Sequence, residues 1–437
     1  MTDRREVSWE EWIRGAEDPR GVGEKPEALD DLLVLDLSYA NFGGFLCSTF
    51  LAELGAEVIK IEPPDGDPAR FWSPYGLYHK GEGLAYLAEG RNKYYTTLNV
   101  EAEAGREVYR ALAQRADVVI ETFQPALADG WRFGYRQLRE LNPGLIYVAL
   151  SSYGHFGPKA PSGKPAADVT AQALSGLVSI TGEPQGKEDR PYAVPTKVGS
   201  WFASYAAGAW SAIGVLVALH YRHRTGKGQM IDISGTEAIM RFMEYTVLWY
   251  QVAGRVRDRI GFFDRAVFPY TFIRVKDGYG FIAGYTDPNF AALCRIMGRP
   301  ELADDPRFRT TVDRTQPENE SALHQEIENW SVNFTAQEIL EKVLSDPGPG
   351  IVVFGKVDTP EETLQEANWW ERGCFQRVQD PMYGEILLQM PVWKMTETPP
   401  RLKWACRPPG YHNAHVYLKY LGYGRSRLGE LKAQGII

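Results

Sequence analysis

The first 235 residues alternate between short apolar runs and segments with helical character, and this alternation restricts the possible folds most. Strand patterns occupy residues 32–37, 57–62, 94–98, 117–123, 145–151 and 229–234. Helical segments of about ten to fifteen residues separate several of them, which is typical of βαβ units. The sequence therefore predicts an α/β fold with a doubly wound parallel sheet. Ligands bind beyond the carboxyl ends of such strands, which points to the loops at 38–44, 63–72 and 152–168.

The pattern changes after residue 235. Two apolar runs at 268–275 and 280–285 are joined by Lys276-Asp277-Gly278, a hairpin signal, and helical segments follow. This indicates a smaller α+β domain. Proline and glycine then interrupt residues 346–410, and a final helix pair closes the chain. The predicted division is a large domain over 1–205, a linker helix over 206–235, a small domain over 236–345, a crossing linker over 346–400 and a C-terminal part of the large domain over 401–437.

Composition bears on partners and location. The formal net charge is −8, so the chain should repel a phosphate backbone, and no nucleic-acid partner is expected. The four cysteines are far apart and form no ligand pattern, which favours a reducing compartment. Residues 1–31 are charged and lack the apolar core of a secretory signal. We therefore expect a cytoplasmic protein.

One segment tests the expectation that no membrane is involved. Residues 201–220 carry no acidic or basic side chain before His220, and that length can span a bilayer. Alanine, glycine and serine dominate its first half, however, and contribute little insertion energy. A polar turn and a strand follow directly. A buried helix of an α/β protein fits this pattern better than a membrane span.

Several motifs of catalysis are absent. The sequence has no GxGxxG after a strand, no GxxxxGK[ST], no GxSxG and no HExxH. His220 and His223 have close spacing, but they lie where a helix ends and are interpreted as cations facing its dipole. We expect no metal site and no tightly bound cofactor.

The most informative segment runs from a strand end at Ser151, through a glycine- and proline-rich loop, to Asp168 at the head of a small-residue helix. The simplest interpretation is that Asp168 is a helix N-cap. The helix amides and dipole would also keep its carboxylate anionic at a strand-end cleft. A carboxylate in that position can act as a covalent nucleophile.

Longer motifs along the chain resemble the class III (CaiB/BaiF-type) CoA-transferases, of which formyl-CoA transferase is a familiar example. The matching motifs are VLDLSYANFGGFLCSTFLAELGAEVIKIEPPDGDPAR at 34–70, EGRNKYYTTLNV at 89–100, ADVVIETFQPALADGWRFGYRQLRELNPGLIYVALSSYGHFGP at 116–158, ADVTAQALSGL at 167–177, RTGKGQMIDIS at 224–234, GRPELADDPRF at 298–308 and LGYGRSRLGELKAQGII at 421–437. The resemblance covers 32–437. It implies transfer of CoA from an acyl-CoA, with succinyl-CoA as a candidate donor, to a carboxylic acid.

The resemblance also implies roles for individual residues. Asp168 would be the nucleophile, forming an aspartyl anhydride and then an aspartyl-CoA thioester. The loop after the first strand, with Ala40, Asn41 and Phe42, would hold CoA beside the reacting carboxylate. Tyr153 lies in the loop before the catalytic helix, where family members place residues that gate the cleft. For Asn41 a plain turn role is the alternative.

Three cations are the candidates for binding the CoA phosphates: Arg70, Arg91 and Lys93. Phosphate recognition uses arginine forks or lysine point charges. Each of these side chains could equally be a solvated surface charge.

The chain departs from formyl-CoA transferase at two places. That enzyme has a lysine where Ser151 stands here and a glycine run in its small domain, whereas residues 261–265 read GFFDR. A specificity for oxalate and formate is therefore doubtful. Aromatic side chains are frequent in the probable cleft loops, including Tyr39, Phe71 and Trp72. They are interpreted as core or dimer contacts, with a bulky or aromatic acceptor acid as the alternative.

Two other functions stay open. One is a racemase of the α-methylacyl-CoA type, a proton-transfer enzyme with related motifs. In racemases of this fold a histidine directly precedes the aspartate and a second aspartate follows a Val-Gly step, but Ala167 and Ser200 stand at these places. The other is a subunit of a heteromeric CoA-transferase. The resemblance implies an interlocked dimer, either a homodimer or a heterodimer with a paralogous chain.

Overall fold

The computed structural model describes residues 25–160, 167–184 and 194–437. The strands in chain order are β1 (Leu33–Leu37), β2 (Glu57–Glu62), β3 (Tyr78–His79), β4 (Glu82–Gly83), β5 (Lys93–Thr97), β6 (Val118–Glu121), β7 (Ile146–Ser151), β8 (Met230–Ser234), β9 (Tyr270–Val275), β10 (Gly278–Ala283), β11 (Val353–Lys356), β12 (Phe375–Asp380) and β13 (Gly384–Gln389).

The α-helices in chain order are α1 (Phe42–Glu53), α2 (Leu84–Glu89), α3 (Glu103–Ala113), α4 (Leu127–Gly130), α5 (Tyr135–Leu141), α6 (Asp168–Leu174), α7 (Leu177–Ile180), α8 (Phe202–Thr225), α9 (Gly235–Met240), α10 (Thr246–Ala253), α11 (Asp287–Ile296), α12 (Thr311–Arg314), α13 (Pro317–Ser331), α14 (Ala336–Ser345), α15 (Pro360–Gln365), α16 (Ala367–Glu371), α17 (Asn413–Leu421) and α18 (Arg425–Ala433). Short 3₁₀ turns lie at Pro68–Phe71, Pro74–Gly76 and Pro300–Ala303.

Six parallel strands form the central sheet, in the order β5–β2–β1–β6–β7–β8. Strand β1 is buried along its whole length, as expected for a strand covered by helices on both faces. The order reverses between β1 and β6, which creates the crevice where ligands of doubly wound sheets bind. The predicted α/β class, with a parallel sheet and smaller antiparallel sheets, is confirmed.

Helices α1 and α8 cross closely on one face of this sheet. A Cβ atom added to Gly208 would lie 2.9 Å from the carbonyl oxygen of Gly43 and 2.9 Å from Cβ of Leu46, so the crossing requires glycine at position 208. Among the described residues, α8 is the one helix long and apolar enough to cross a membrane, and half of its most apolar stretch is buried inside the protein. The close crossing with α1 explains part of that burial.

The end of the chain covers the β5 edge of the central sheet. The backbone N–H of Tyr95 donates to Nδ1 of His412, and the N–H of His412 donates to the carbonyl of Tyr95, both at 2.9 Å. The N–H of Thr97 donates to the side-chain oxygen of Asn413 at 2.9 Å. Hydrogen-bonding groups that would be open on an edge strand are thus satisfied by residues more than 300 positions later.

The chain forms two compact units. The large unit contains the described residues up to Leu177, Lys197–Leu248 and Ala367–Ile437, and the small unit contains the described residues of Val178–Thr196 and Trp249–Glu366. These bounds differ from the predicted ones. The segment predicted as a linker helix over 206–235 belongs to the large unit, because β8 pairs with β7 and α8 packs beneath the sheet.

The small unit has a three-stranded antiparallel sheet in the order β11–β10–β9. Its hairpin turns at Gly278, whose φ of 144° suits glycine. Helix α13 (Pro317–Ser331) was not predicted from the sequence. The segment predicted as an irregular crossing over 346–400 contains β11, which pairs with β10 in the small unit, and the β12–β13 hairpin of the large unit.

Candidate active site

A cavity of about 480 Å³ lies in the large unit at the carboxyl ends of β1, β7 and β8. It is lined by Ala40, Asn41, Phe42, Trp72, Leu150, Ser151, Ser152, Ala167, Asp168, Val169, Ala171, Lys197, Trp201, Ala203, Ser204, Ala207 and Gly235. The position is the one that a doubly wound sheet offers to ligands. The structure therefore brings together Asp168 and the loop of Ala40, Asn41 and Phe42 in one cavity.

Asp168 is the first residue of α6, and Ala167 occupies the cap position of that helix. The carboxylate of Asp168 therefore does not cap its own helix. Its Oδ1 accepts a hydrogen bond of 2.7 Å from the backbone N–H of Ser204, in the first turn of α8. The N-terminal end of a 24-residue helix thus faces this carboxylate and fixes the position of Oδ1.

Gln172 holds the same carboxylate from the other side. Its side-chain nitrogen donates to Oδ2 of Asp168 at 2.6 Å and to the carbonyl of Ser200 at 3.3 Å. Its side-chain oxygen accepts from the N–H of Val198 at 3.0 Å. Because Gln172 is fully buried, it fixes the segment before α8 to Asp168 and orients both carboxylate oxygens.

The loop after β1 forms the opposite wall of the cavity. Ala40 has a left-handed φ of 46°, and its N–H donates to Oδ1 of the buried Asp67 at 3.0 Å. The side-chain oxygen of Asn41 caps α1, accepting from the N–H groups of Gly43 at 2.8 Å and Gly44 at 3.4 Å. The side-chain amide nitrogen of Asn41 is not used by this cap.

Three aromatic rings form one wall of the cavity, and we call Phe42, Trp72 and Trp201 the aromatic wall. The ring centres lie 4.6 Å apart for Phe42 and Trp201, 5.7 Å for Phe42 and Trp72, and 5.9 Å for the two tryptophans. A second space of about 680 Å³ adjoins this wall. It is lined by Trp72, Ser73, Pro74, Leu84, Ala85 and Trp201.

Arg70 is not at the cavity. Its side chain is only 3% exposed, and its guanidinium forms ion pairs with Glu62 at 2.8 Å and Glu82 at 2.7 Å. It also donates to the carbonyl of Arg407 at 2.8 Å and lies 4.5 Å from the ring centre of Tyr86. The structure does not support a role in phosphate binding, because the guanidinium is already surrounded by internal partners.

Arg91 and Lys93 are buried in the same way. Arg91 lies 3.6 Å from the carboxylate of Glu53, and Lys93 lies 3.4 Å from that of Asp36 and donates to the carbonyl of Phe45 at 2.7 Å. Burial lowers the pKa of Lys93 to about 7 even though Asp36 acts in the opposite direction. These cations stabilise the core beneath the cavity and do not line it.

Tyr153 is half-buried in the loop after β7, where the ammonium of Lys159 lies 5.9 Å from its ring centre. It is not among the described residues that line the cavity. Further along this loop, His155 pairs with Asp232 at 3.2 Å and with Glu121 at 3.4 Å. Burial alone would lower the pKa of His155, but hydrogen bonds to these carboxylates raise it to about 9.

Sequence reasoning missed several residues of the cavity, among them Lys197, Trp201 as a wall residue, and Ser204. The sequence does show a helix starting near Trp201. No local signal indicates that this start would meet a carboxylate 36 positions earlier. Within the described ranges, no group of three or more histidine, cysteine or acidic side chains could hold a metal ion.

The comparison with protein families matches this chain to CoA-transferase family III over residues 29–413. The chain belongs to this family. A succinyl-CoA–D-citramalate CoA-transferase of Chloroflexus aurantiacus is 35% identical over 94% of this chain and 98% of its own length. The alpha subunit of a succinyl-CoA–L-malate CoA-transferase of the same species is 30% identical over 95% of this chain and 94% of its own length.

Solved structures of the family share the fold. The crystal structure of a CaiB/BaiF family protein from Brucella suis covers 91% of this chain and all of its own, with a TM-score of 0.76 and 28% sequence identity. The protein is thus a class III CoA-transferase, as its sequence motifs predicted, and acyl-CoA thioesters and carboxylic acids are the substrates of this enzyme class.

Proposed function

We propose that the protein transfers CoA from succinyl-CoA to a carboxylic acid, with the carboxylate of Asp168 as the covalent nucleophile. The observation that carries the proposal is the placement of this carboxylate in the cavity, held on one oxygen by the Ser204 N–H and on the other by Gln172. Two hydrogen bonds fix the direction of the carboxylate, and such positioning lowers the barrier to attack on a bound thioester.

The reaction would proceed in two matched halves. An oxygen of Asp168 attacks the thioester carbonyl of the donor, giving a mixed anhydride and CoA thiolate. The thiolate attacks the aspartyl carbonyl, which releases the donor acid and leaves an aspartyl-CoA thioester. The acceptor carboxylate then attacks this thioester, and the released thiolate attacks the acceptor acyl carbon to form the new acyl-CoA. Asp168 returns as a free carboxylate, so atoms and charge balance.

The choice of succinyl-CoA rests on the activities named for the two relatives from Chloroflexus, both of which use that donor. The cavity offers a partner for the second carboxylate of succinate. Lys197 is the one cationic side chain among the described residues of the lining, and its ammonium donates to the carbonyl of Val198 next to it at 3.0 Å. Charge-assisted hydrogen bonds of this kind suit a carboxylate.

The test is to incubate the protein with succinyl-CoA and no acceptor, then digest it and measure peptide masses. The proposal expects the mass of CoA, less water, on the peptide that contains Asp168. A protein that releases succinate without any adduct at this residue would contradict it. Rapid α-deuteration of a 2-methylacyl-CoA in D2O without an acceptor acid would instead support the racemase alternative.

Assembly is a further part of the proposal, which expects a dimer. The relative described as an alpha subunit favours testing a heterodimer as well as a homodimer. Light scattering of the purified protein should give twice the chain mass of 49.2 kDa. A monomer with no transferase activity, which gains activity on addition of a paralogous chain, would show that this chain is one subunit of a heteromeric enzyme.

A further inference from the structure

We infer that the aromatic wall is a specificity-determining surface that selects an acceptor acid with a flat aromatic substituent. This inference rests on the proposed function, because it assigns the acid that attacks the aspartyl-CoA thioester. It concerns the half of the reaction for which the cavity offers an apolar surface on which Trp72 stays partly exposed.

The geometry of the wall suits a flat ring. The centres of Phe42, Trp72 and Trp201 are all within 6 Å of one another, so the three rings pack as one cluster. Phe42 is buried within it, and the accessible face is supplied by Trp72 and Trp201. Trp72 is 38% exposed, although burial of a tryptophan side chain is strongly favourable. A bound aromatic ring would cover this exposed part, and aromatic pairs gain energy beyond their buried area.

The chemistry around the wall excludes a second charged group there. The adjoining space of about 680 Å³ is lined by Trp72, Ser73, Pro74, Leu84, Ala85 and Trp201, with no charged side chain among its described lining residues. A carboxylate placed in that space would lose its hydration without gaining an ion pair. An apolar ring loses no hydration of that kind, so this space favours an aromatic substituent over a second carboxylate, which only Lys197, on another part of the described lining, would bind.

Donor and acceptor occupy the same cavity at different times, yet they would use different side chains. The second carboxylate of succinate would be held by Lys197, whereas the acceptor ring would lie against Trp72. Substitutions at these two residues should therefore affect different halves of the reaction. A residue that only supported the fold would affect both halves together.

The experiment separates the two halves. The donor half is followed as the rate of CoA-adduct formation on the Asp168 peptide with succinyl-CoA. The acceptor half is followed as acyl-CoA formation from 3-phenylpropanoate, benzoate, cyclohexanecarboxylate, acetate and glutarate. The wild-type enzyme should prefer 3-phenylpropanoate or benzoate, with cyclohexanecarboxylate as the control for hydrophobicity without aromaticity.

The variant Trp72→Leu should lower kcat/KM for the aromatic acids by about tenfold, the size expected for loss of one aromatic contact. The loss should be smaller for acetate, which has no ring to contact Trp72, and for the donor half. Lys197→Met should do the opposite, slowing the donor half more than it lowers kcat/KM for the aromatic acids. The matched control is Phe71→Leu, because Phe71 is exposed beside Trp72 but does not line the cavity.

Three outcomes would overturn the inference. The first is rejection of aromatic acids together with acceptance of glutarate. The second is an equal slowing of donor and acceptor halves in Trp72→Leu, which would assign the wall to the CoA moiety common to both. The third is equal use of cyclohexanecarboxylate and benzoate, which would show a requirement for bulk alone. The absence of any adduct with succinyl-CoA is distinct from these, since it contradicts the proposed function itself together with this inference.

Discussion

Two charged groups predicted for the same site, Asp168 and Arg70, have opposite environments in the large unit. Asp168 lines an open cavity and accepts hydrogen bonds from a backbone N–H and an amide side chain. Arg70 is enclosed by Glu62, Glu82 and two tyrosine rings. Both residues come after the end of a predicted strand, so their positions along the chain did not show that one lines the cavity and the other is buried.

The difference shows what makes a charge available for chemistry. A carboxylate that accepts hydrogen bonds from neutral donors keeps its charge and can still attack a substrate. The guanidinium of Arg70 instead directs four hydrogen bonds to Glu62, Glu82 and the carbonyl of Arg407. It is enclosed by these partners and cannot reach a phosphate in the cavity. Removal of each group should accordingly affect activity in the first case and stability in the second.

The largest effect is expected for Asp168→Asn. This variant keeps an oxygen for the Ser204 N–H, but its amide nitrogen faces the donating nitrogen of Gln172, and the nucleophile is lost. Transfer should therefore fall at least about 1,000-fold, whereas the lost hydrogen bond should lower stability by only about 1 kcal/mol. Steady-state rates and thermal unfolding measure the two quantities. The matched control is Asp65→Asn, at an exposed aspartate of the neighbouring loop. If Asp168→Asn retained one tenth of the activity, Asp168 would not be the nucleophile, and the functional difference from Arg70 would be lost.

The next effect is on stability. Arg70→Met leaves the buried carboxylates of Glu62 and Glu82 without a cation, which should lower the free energy of unfolding by about 3–5 kcal/mol. Urea unfolding measures this change. The KM for the acyl-CoA of the folded fraction should stay the same. Arg106→Met, which breaks an exposed pair with Glu103, is the control and should cost less than about 1 kcal/mol. If Arg70→Met raised the KM for the acyl-CoA and left stability unchanged, Arg70 would have to be assigned to the substrate site after all.

A third prediction uses pH. The pKa of His155 is raised to about 9 in the folded protein, above the value near 6.5 of an unfolded chain. Its ion pairs with Asp232 and Glu121 therefore stabilise the fold fully below pH 6.5, and this contribution is lost as pH rises to 9. The stability difference between wild type and His155→Gln should shrink by about 2 kcal/mol over that range. Urea titrations at pH 6 and pH 9 would show a constant difference if the pairing were unimportant.

The smallest effect is expected for Asn41, which combines a structural contact with a position in the cavity. Asn41→Ala removes the cap of α1 and should lower the free energy of unfolding by about 1 kcal/mol. Asn41→Ser restores a cap oxygen and should recover this stability. If the amide nitrogen also contacts the substrate, Asn41→Ser will recover stability without recovering kcat. Recovery of both would make Asn41 a capping residue alone.

Most strands of the central sheet could be predicted from the sequence because they are short apolar runs, whereas β5 carries lysine and threonine beside its tyrosines. The predicted segment 57–62 coincides with β2, and the predicted segment 145–151 contains β7. Helix α13 was missed because most of its residues are polar, so the few apolar residues that it buries form no clear helical pattern in the sequence. The β12–β13 hairpin was missed because proline and glycine around it suggested irregular structure.

The candidate site could be predicted only in part. Asp168 and the Ala40–Phe42 loop follow strand ends, and parallel strands bring their ends to one edge. The contacts of Asp168 with Ser204 depend on how α6 meets α8, and such tertiary contacts leave no periodic signal in the sequence. The burial of Arg70, Arg91 and Lys93 depends equally on acidic partners such as Glu82 and Asp36, which the chain brings close only on folding.

The cover over strand β5 has a consequence for how the protein is made. Strand β5 has left the ribosome when residue 97 emerges, but His412 and Asn413, which complete its edge, are translated more than 300 residues later. At a usual synthesis rate of 5–20 residues per second, the nascent edge waits for roughly 15 to 60 s. During that interval an open strand can pair with other chains. Expression yield should therefore depend on chaperones that shield this edge until the tail arrives.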